Sequence, residues 1–207
     1  MNKPNVLAFV GPAGAGKDTA ARFVMTEHPL AYNLKFAGKL KDMTCMLFGW
    51  NRKRLDEDLD YKEAEAFWPD GSPVSTHPGG KMSRLHGKVR TRREILQLIG
   101  TDLFRYEVDS KIWLHAAAAD IPSDTPLIVA TDIRFDNELE FLQERGHKVH
   151  CVRLGRTGTD AGTQASGHAS EAGIRPGLIA ARADVPDGDF DFLRHVALRG
   201  AKRALEI

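Results

Sequence analysis

The chain has 207 residues, with 29 Lys and Arg against 28 Asp and Glu and a formal net charge of +1. That length suits one domain carrying an insertion or a lid, with enough chain to bury a real core. The near balance of charge excludes the broad positive field by which a nucleic-acid polymer or an anionic membrane surface is recognised.

The first element is the apolar run Val6-Leu-Ala-Phe-Val10, which reads as a buried strand and delivers into Gly11-Pro-Ala13-Gly14-Ala15-Gly16-Lys17-Asp18-Thr19. Gly11-x-x-x-x-Gly16-Lys17 has the spacing of a phosphate-binding loop. Its glycines let backbone N–H groups turn inward, where side chains would block a phosphate. A helix beginning at Lys17, with Ala20, Ala21, Phe23 and Val24 on its apolar face, would add its positive end, and Lys17 could reach the β- and γ-phosphate oxygens. The pattern departs from the general loop at Asp18, where Ser or Thr would ligate Mg²⁺. Either Asp18 meets the metal, directly or through water, or Thr19 takes a neighbouring role. The expectation is a nucleoside triphosphate site.

Tyr32, Leu34 and Phe36 alternate as a short strand. Leu40, Met43 and Leu47 then predict a helix that Gly49 stops. Lys35, Lys39 and Lys41 lie near this strand-to-helix junction, either as an anion site or as solvated lysines. Residues 50–90 read as an insertion, turn-rich and partly mobile, with an acidic block from Asp56 to Glu65 and a basic run from Lys81 to Arg93. The basic run is either a solvated face or a surface that closes on substrate phosphate. Thr91-Arg-Arg-Glu94 is a capping box, predicting a helix through Ile95, Leu96, Leu98 and Ile99 that ends near Gly100-Thr101-Asp102. Another helix is expected from Ser110 to Ala119.

Pro126-Leu-Ile-Val-Ala-Thr-Asp132 predicts a second buried strand. An acid at its carboxyl end would order Mg²⁺ beside the phosphates, although N-capping the next helix would explain it too. Arg134, two residues on, is a bidentate donor for phosphate. Asp136 is expected to cap a helix that Gly146 ends. Lys148 to Leu154 predicts a third strand. It would deliver Arg153 and Arg156 into the Gly- and Thr-rich stretch to Gly167, a mobile lid whose arginines neutralise the transferring phosphoryl group. His168-Ala-Ser-Glu171 would re-enter structure, Ala183-Asp-Val185 would form an edge strand, and Phe190 to Leu205 a closing amphipathic helix.

Cys45 and Cys151 each sit in an apolar run and read as core packing, in keeping with a reducing cytosol. The opening Met1-Asn-Lys-Pro4 has no secretory pattern, and no apolar run is long enough to span a bilayer. The regulatory GTPase class is disfavoured because no guanine-reading Asn-Lys-x-Asp stretch occurs.

Five segments in order resemble the phage-type deoxynucleoside monophosphate kinase family. They are Gly14-Ala-Gly-Lys-Asp-Thr19, Phe36-Ala-Gly-Lys-Leu-Lys41, Leu96-Gln-Leu-Ile-Gly-Thr-Asp102 with Arg105, Asp132-Ile-Arg-Phe-Asp-Asn-Glu138 and His168-Ala-Ser-Glu171. The Lys-Asp-Thr ending of the loop is itself a feature of that family. The resemblance implies an α/β P-loop fold in three layers with a parallel sheet, a monophosphate-binding insertion over 35–105 and a lid over 154–170. It implies transfer of the ATP γ-phosphoryl group, with Mg²⁺, to a deoxynucleoside monophosphate for DNA precursor supply. Gly11, Ala13, Gly14, Ala15, Gly16, Lys17, Asp18 and Thr19 would hold the ATP phosphates. Lys35, Phe36, Lys39, Arg93, Gln97, Thr101, Asp132 and Arg134 would form the acceptor site. Lys17, Asp132, Arg153 and Arg156 would act in catalysis, with Asp18 and Asp132 toward the metal. Partners would be ATP and the monophosphate, without nucleic-acid polymer or membrane. A homodimer is allowed by the apolar content of the insertion, and the location would be the cytoplasm, the host's if the gene is a phage's. The alternatives are a P-loop kinase acting on dephospho-coenzyme A or a ribonucleotide, and a module that senses ATP without transferring phosphate.

Overall fold

The computed structural model describes residues 3–74, 89–157 and 173–207. The chain forms two compact units, one from Met1–Phe36 with Leu114–Ile207 and the other from Ala37–Trp113.

The first unit is a parallel sheet. Its strands are β1 (Asn5–Val10), β2 (Tyr32–Leu34), β3 (Leu127–Ala130), β4 (Val149–Thr157) and β5 (Ala181–Pro186), in the order β2-β3-β1-β4-β5. Central β1 sets Val6 opposite Ile128 on one side and Val149 on the other. Alternate residues of β1 enter different cores. Leu7 and Phe9 pack with Ala20 and Val24 of α1 (Lys17–Glu27) and with Leu193 and Ala197 of the long C-terminal helix (Phe190–Glu206). Val6, Ala8 and Val10 pack with Leu114 and Ala117, and with Leu139 and Leu142 of the helix Asp136–Glu144. Burial on both faces explains why β1 and β3 read as unbroken apolar runs rather than alternating ones. The three-layer α/β expectation therefore holds.

Two boundaries in this unit differ from the sequence expectation. β4 does not stop at Leu154 but runs to Thr157, because β5 pairs alongside it from Val152↔Ala181 to Thr157↔Pro186. Residues 154–157 are thus strand rather than lid, with Leu154 fully buried. The remainder of the expected lid, 158–170, and the segment His168 to Glu171 lie outside the described residues. Asp136, expected as a cap, is already the first residue of its helix. Buried Glu138 reaches back instead and accepts from the backbone N–H of Arg134 (2.6 Å) and Phe135 (3.1 Å). Asp136 accepts from the Arg175 N–H (2.9 Å) and pairs with its guanidinium (2.6 Å).

Cys151 is buried in the second of these cores and is a free thiol, as its sequence context suggested. Burial pushes it up from the ordinary 9.0 to about 12. The unfolded thiol ionises first, so its contribution to stability is complete below pH 9.0 and lost between 9.0 and about 12. Unfolding free energies of wild type and Cys151→Ala from denaturant titrations should differ by a constant amount up to pH 9. Above it the gap should narrow by about 1.4 kcal/mol per pH unit. A gap that stays constant to pH 11 would contradict this.

In chain order the second unit holds α2 (Gly38–Phe48), α3 (Arg52–Glu57), α4 (Leu59–Glu63) and α5 (Arg92–Gln97), then the start of α6 (Ile112–Ala118). The two helices of the first unit that follow are α7 (Asp136–Glu144) and α8 (Phe190–Glu206). Leu40, Phe48, Trp50, Leu55, Leu96 and Trp113 make the second unit's core. The acidic block of the expected insertion is folded into α3 and α4. Asp58 caps α4 by accepting from the Tyr61 N–H (2.8 Å), Asp56 pairs with Lys41 (2.6 Å) and Arg52, and Glu63 pairs with Arg93. Residues 75–88 of that stretch lie outside the described residues.

The capping box at Thr91 and Glu94 forms as expected. The helix does not end at Gly100, however; it continues as a π-helical segment, Leu98–Arg105. A Cβ on Gly100 would lie 2.4 Å from Leu40 Cδ2, and the Gly100 carbonyl accepts from Trp113 Nε1 (2.8 Å). Glycine thus permits a close approach to α2, while Trp113 satisfies a carbonyl from outside the helix. Such wide turns are frequent at functional sites.

Candidate phosphate site at the carboxyl edge of the sheet

Gly11 to Gly16 connect β1 to α1. Gly11, Gly14 and Gly16 all have positive φ (139°, 77° and 85°), so the loop adopts a path that only glycine follows easily. It ends at the N-terminus of α1, whose first N–H groups have no partner within the helix and whose dipole favours an anion. Ala13 and Gly14 are exposed, and Ala15 is buried. The Lys17 ammonium lies back over the loop, donating to the carbonyls of Gly11 (2.9 Å) and Pro12 (2.7 Å).

Lys17 has close charged neighbours. Burial lowers its pKa most; Asp18 opposes the shift, while Arg134 and Lys35 add to it. Asp18, Arg134 and Lys35 therefore lie close enough to Lys17 to act on its charge. Three strand ends deliver them. Gly11 follows β1, Lys35 follows β2 and Thr131 follows β3, all at the carboxyl edge where parallel α/β sheets bind ligands.

The pleat then selects which residues reach α1. Leu34 and Ala130 pack into the core away from α1, so the next residues, Lys35 and Thr131, turn to the α1 side. There Lys35 Nζ donates to Asp18 Oδ1 (2.5 Å) and to Thr131 Oγ1, and Thr131 Oγ1 donates to the same Asp18 oxygen (2.7 Å). Partial desolvation alone would raise the Asp18 pKa. The bonds from Lys35 and Thr131 and the charges of Lys35 and Lys17 outweigh it and hold the carboxyl below its ordinary value.

The other sequence candidates fall in different places. Phe36, expected at the acceptor, is 1% exposed within the core, so its ring is not a ligand surface. Asp132 is half-buried and Arg134 exposed, both directly after β3. Arg153 is exposed and stands in register with Val10, beside the start of the loop. Arg156 lies three residues further along β4 and pairs with Asp187 (2.8 Å). Lys39, Arg93, Gln97 and Thr101 belong to the 37–113 unit, where Thr101 is buried and Arg93 pairs with Glu63. Thr131 was missed by sequence reasoning. Its only signal was a hydroxyl one residue before the favoured acid, at the position that strand alternation assigns to the α1 face.

No group of three or more His, Cys, Asp or Glu that could hold a metal occurs among the described residues. The donors near the loop are the carboxylates of Asp18 and Asp132 and the hydroxyl of Thr19. That set fits Mg²⁺, which keeps several waters and is held by one or two carboxylates plus substrate phosphates. No helix among the described residues is long and apolar enough to cross a membrane.

The family model described as deoxynucleotide monophosphate kinase matches residues 84–179, a span that includes β3, Thr131, Arg134 and β4. The deoxynucleoside-5′-monophosphate kinase of Escherichia phage T5 is 27% identical, the match covering 66% of this chain and 71% of the phage protein.

Proposed function

We propose that this chain, which is similar to the phage-type deoxynucleoside monophosphate kinases, transfers the γ-phosphoryl group of ATP to a deoxynucleoside 5′-monophosphate. The products would be ADP and the deoxynucleoside diphosphate, as DNA precursor supply requires. The observation that carries this reading is Lys17 at the mouth of the glycine loop, with Lys35 and Arg134 close enough to lower its proton affinity and Asp18 bonded to Lys35. Three cations against the carboxylates of Asp18 and Asp132 leave an excess of positive charge suited to several phosphates.

An acceptor phosphate oxygen is already a nucleophile at neutral pH, so no general base is needed. The work is positioning and charge stabilisation. The loop N–H groups, the N-terminus of α1 and Lys17 hold the donor phosphates. Lys35 and Arg134 face the acceptor phosphate. Arg153 and Arg156 neutralise charge on the passing phosphoryl group. Mg²⁺ bound with ATP would neutralise the donor phosphate oxygens, and Asp132 would be the carboxylate toward it.

The test is ADP release from Mg·ATP with each deoxynucleoside monophosphate, each ribonucleotide counterpart, dephospho-coenzyme A and no acceptor. Turnover that depends on a deoxynucleotide supports the proposal. Turnover confined to ribonucleotides or dephospho-coenzyme A would move the acceptor class. ADP release indifferent to acceptor, or none, would favour an ATPase or a sensor. Within that assay, Arg134→Ala is expected to raise the acceptor KM by about 10-fold, the worth of a hydrogen bond between charged groups, and to leave the ATP KM near its wild-type value. An unchanged acceptor KM would remove Arg134 from the site.

A further inference from the structure

Asp18 occupies the position where a phosphate-binding loop ordinarily presents a hydroxyl to the metal. Its surroundings here suit a different task. Oδ1 accepts from both Lys35 Nζ (2.5 Å) and Thr131 Oγ1 (2.7 Å), and Lys35 Nζ also bonds Thr131 Oγ1, closing a ring of three side chains. The ring joins the first turn of α1, the end of β2 and the end of β3.

The three members are not equally accessible. The Thr131 residue is 3% exposed, whereas the Lys35 and Asp18 side chains are 37% and 76% exposed. An exposed lysine on its four-carbon stem ordinarily samples many rotamers, and fixing it costs conformational entropy. Two acceptors on two elements, one of them buried, hold this ammonium at the strand ends before any ligand arrives. Lys35 is also close enough to Lys17 to depress its proton affinity, so the held charge lies beside the loop.

We infer that Asp18 and Thr131 are positioning residues for Lys35, keeping its ammonium pre-oriented toward the phosphate of the acceptor. This deepens the kinase reading and rests on it. Asp18 then serves chiefly as a bracket for a cation contributed by β2, rather than as the replacement for the metal-binding hydroxyl. Thr131 fixes the bracket to the sheet.

The consequence is energetic coupling: removing Asp18 should matter only while Lys35 is present. Wild type, Asp18→Asn, Lys35→Met and the double variant are compared by varying a deoxynucleoside monophosphate at saturating Mg·ATP. Each single change should raise acceptor KM about 10-fold, the scale of a charge-assisted hydrogen bond. The double variant should lie within about 3-fold of the worse single one, the signature of residues that act together. The ATP KM and the Mg²⁺ concentration for half-maximal rate should move less than about 2-fold, because the bracket acts on the acceptor side. Thr131→Val should raise acceptor KM by a few fold, and Thr131→Ser, which keeps the hydroxyl, should restore it.

Multiplying effects, about 100-fold in the double variant, would overturn the inference. So would an Asp18→Asn variant that needs about 10-fold more Mg²⁺ while its acceptor KM is unchanged. If wild type shows no acceptor-dependent turnover, the kinase reading has failed instead. The coupling is then decided by calorimetric binding of inorganic pyrophosphate without metal to the same four proteins. Losses that fail to add in the double variant support the bracket there, and losses that multiply sink it.

Discussion

Lys17→Ala is expected to lower kcat by roughly 10²- to 10³-fold, the range seen when one preorganised electrostatic contact to developing charge is removed. The fold should persist. Lys17 lies at the start of α1, and the bonds lost are to the carbonyls of Gly11 and Pro12, at a loop where water can replace the ammonium. Alanine is also the best helix former at such a position. Melting temperature and far-UV circular dichroism should therefore stay close to wild type while turnover collapses. The opposite pattern, near-normal turnover with a lowered melting temperature, would make Lys17 a brace for the loop and remove it from catalysis.

Gly11→Ala should be the most damaging single-methyl change in the loop. At φ 139° a side chain is strained, and its Cβ would lie 2.1 Å from the Leu154 carbonyl oxygen and 3.2 Å from the carbonyl carbon. Those atoms belong to the backbone of β4, which is paired on both sides by β1 and β5, so they cannot swing aside as a flexible side chain would. Strain of about 1–2 kcal/mol and overpacking of about 1–3 kcal/mol together give a loss of roughly 2–5 kcal/mol. For a chain of this size that corresponds to about 5–20 °C in melting temperature. Gly14→Ala is the matched control. Nothing lies within 4 Å of its added Cβ, and only the φ of 77° opposes it, so about 1 kcal/mol should be lost. Equal losses in the two variants, measured by thermal and denaturant unfolding, would show that the approach to Leu154 does not constrain the loop.

These two glycines mark where reading the chain stops being sufficient. Spacing alone located the loop, because it lies between an apolar run and a helical period that are each encoded within a dozen residues. The same local logic located β3, the capping box at Thr91 and the long closing helix from Phe190. Each is fixed by neighbours one to four positions away, so its signature is contiguous. Nothing local distinguishes Gly11 from Gly14, however. The difference is the backbone of Leu154, which arrives only when β4 lies against β1. Asp18 shows the same limit. As a sequence position it is a departure from a metal-binding pattern, but its partners are Lys35, 17 positions away, and Thr131, 113 positions away. Thr131 and Asp132 are adjacent polar residues after one buried strand. The sequence favours the carboxylate, and the pleat of a sheet whose register is set by other strands turns the hydroxyl toward α1. Likewise, β4 lengthens because β5 pairs with it, and Glu138 takes the capping role offered to Asp136. The sequence by itself determined the order of the elements and the glycine loop, since those depend on short-range periodicity and backbone freedom. Tertiary structure alone decided which polar groups meet, because hydrogen bonds and ion pairs act over about 3 Å in space, irrespective of distance along the chain.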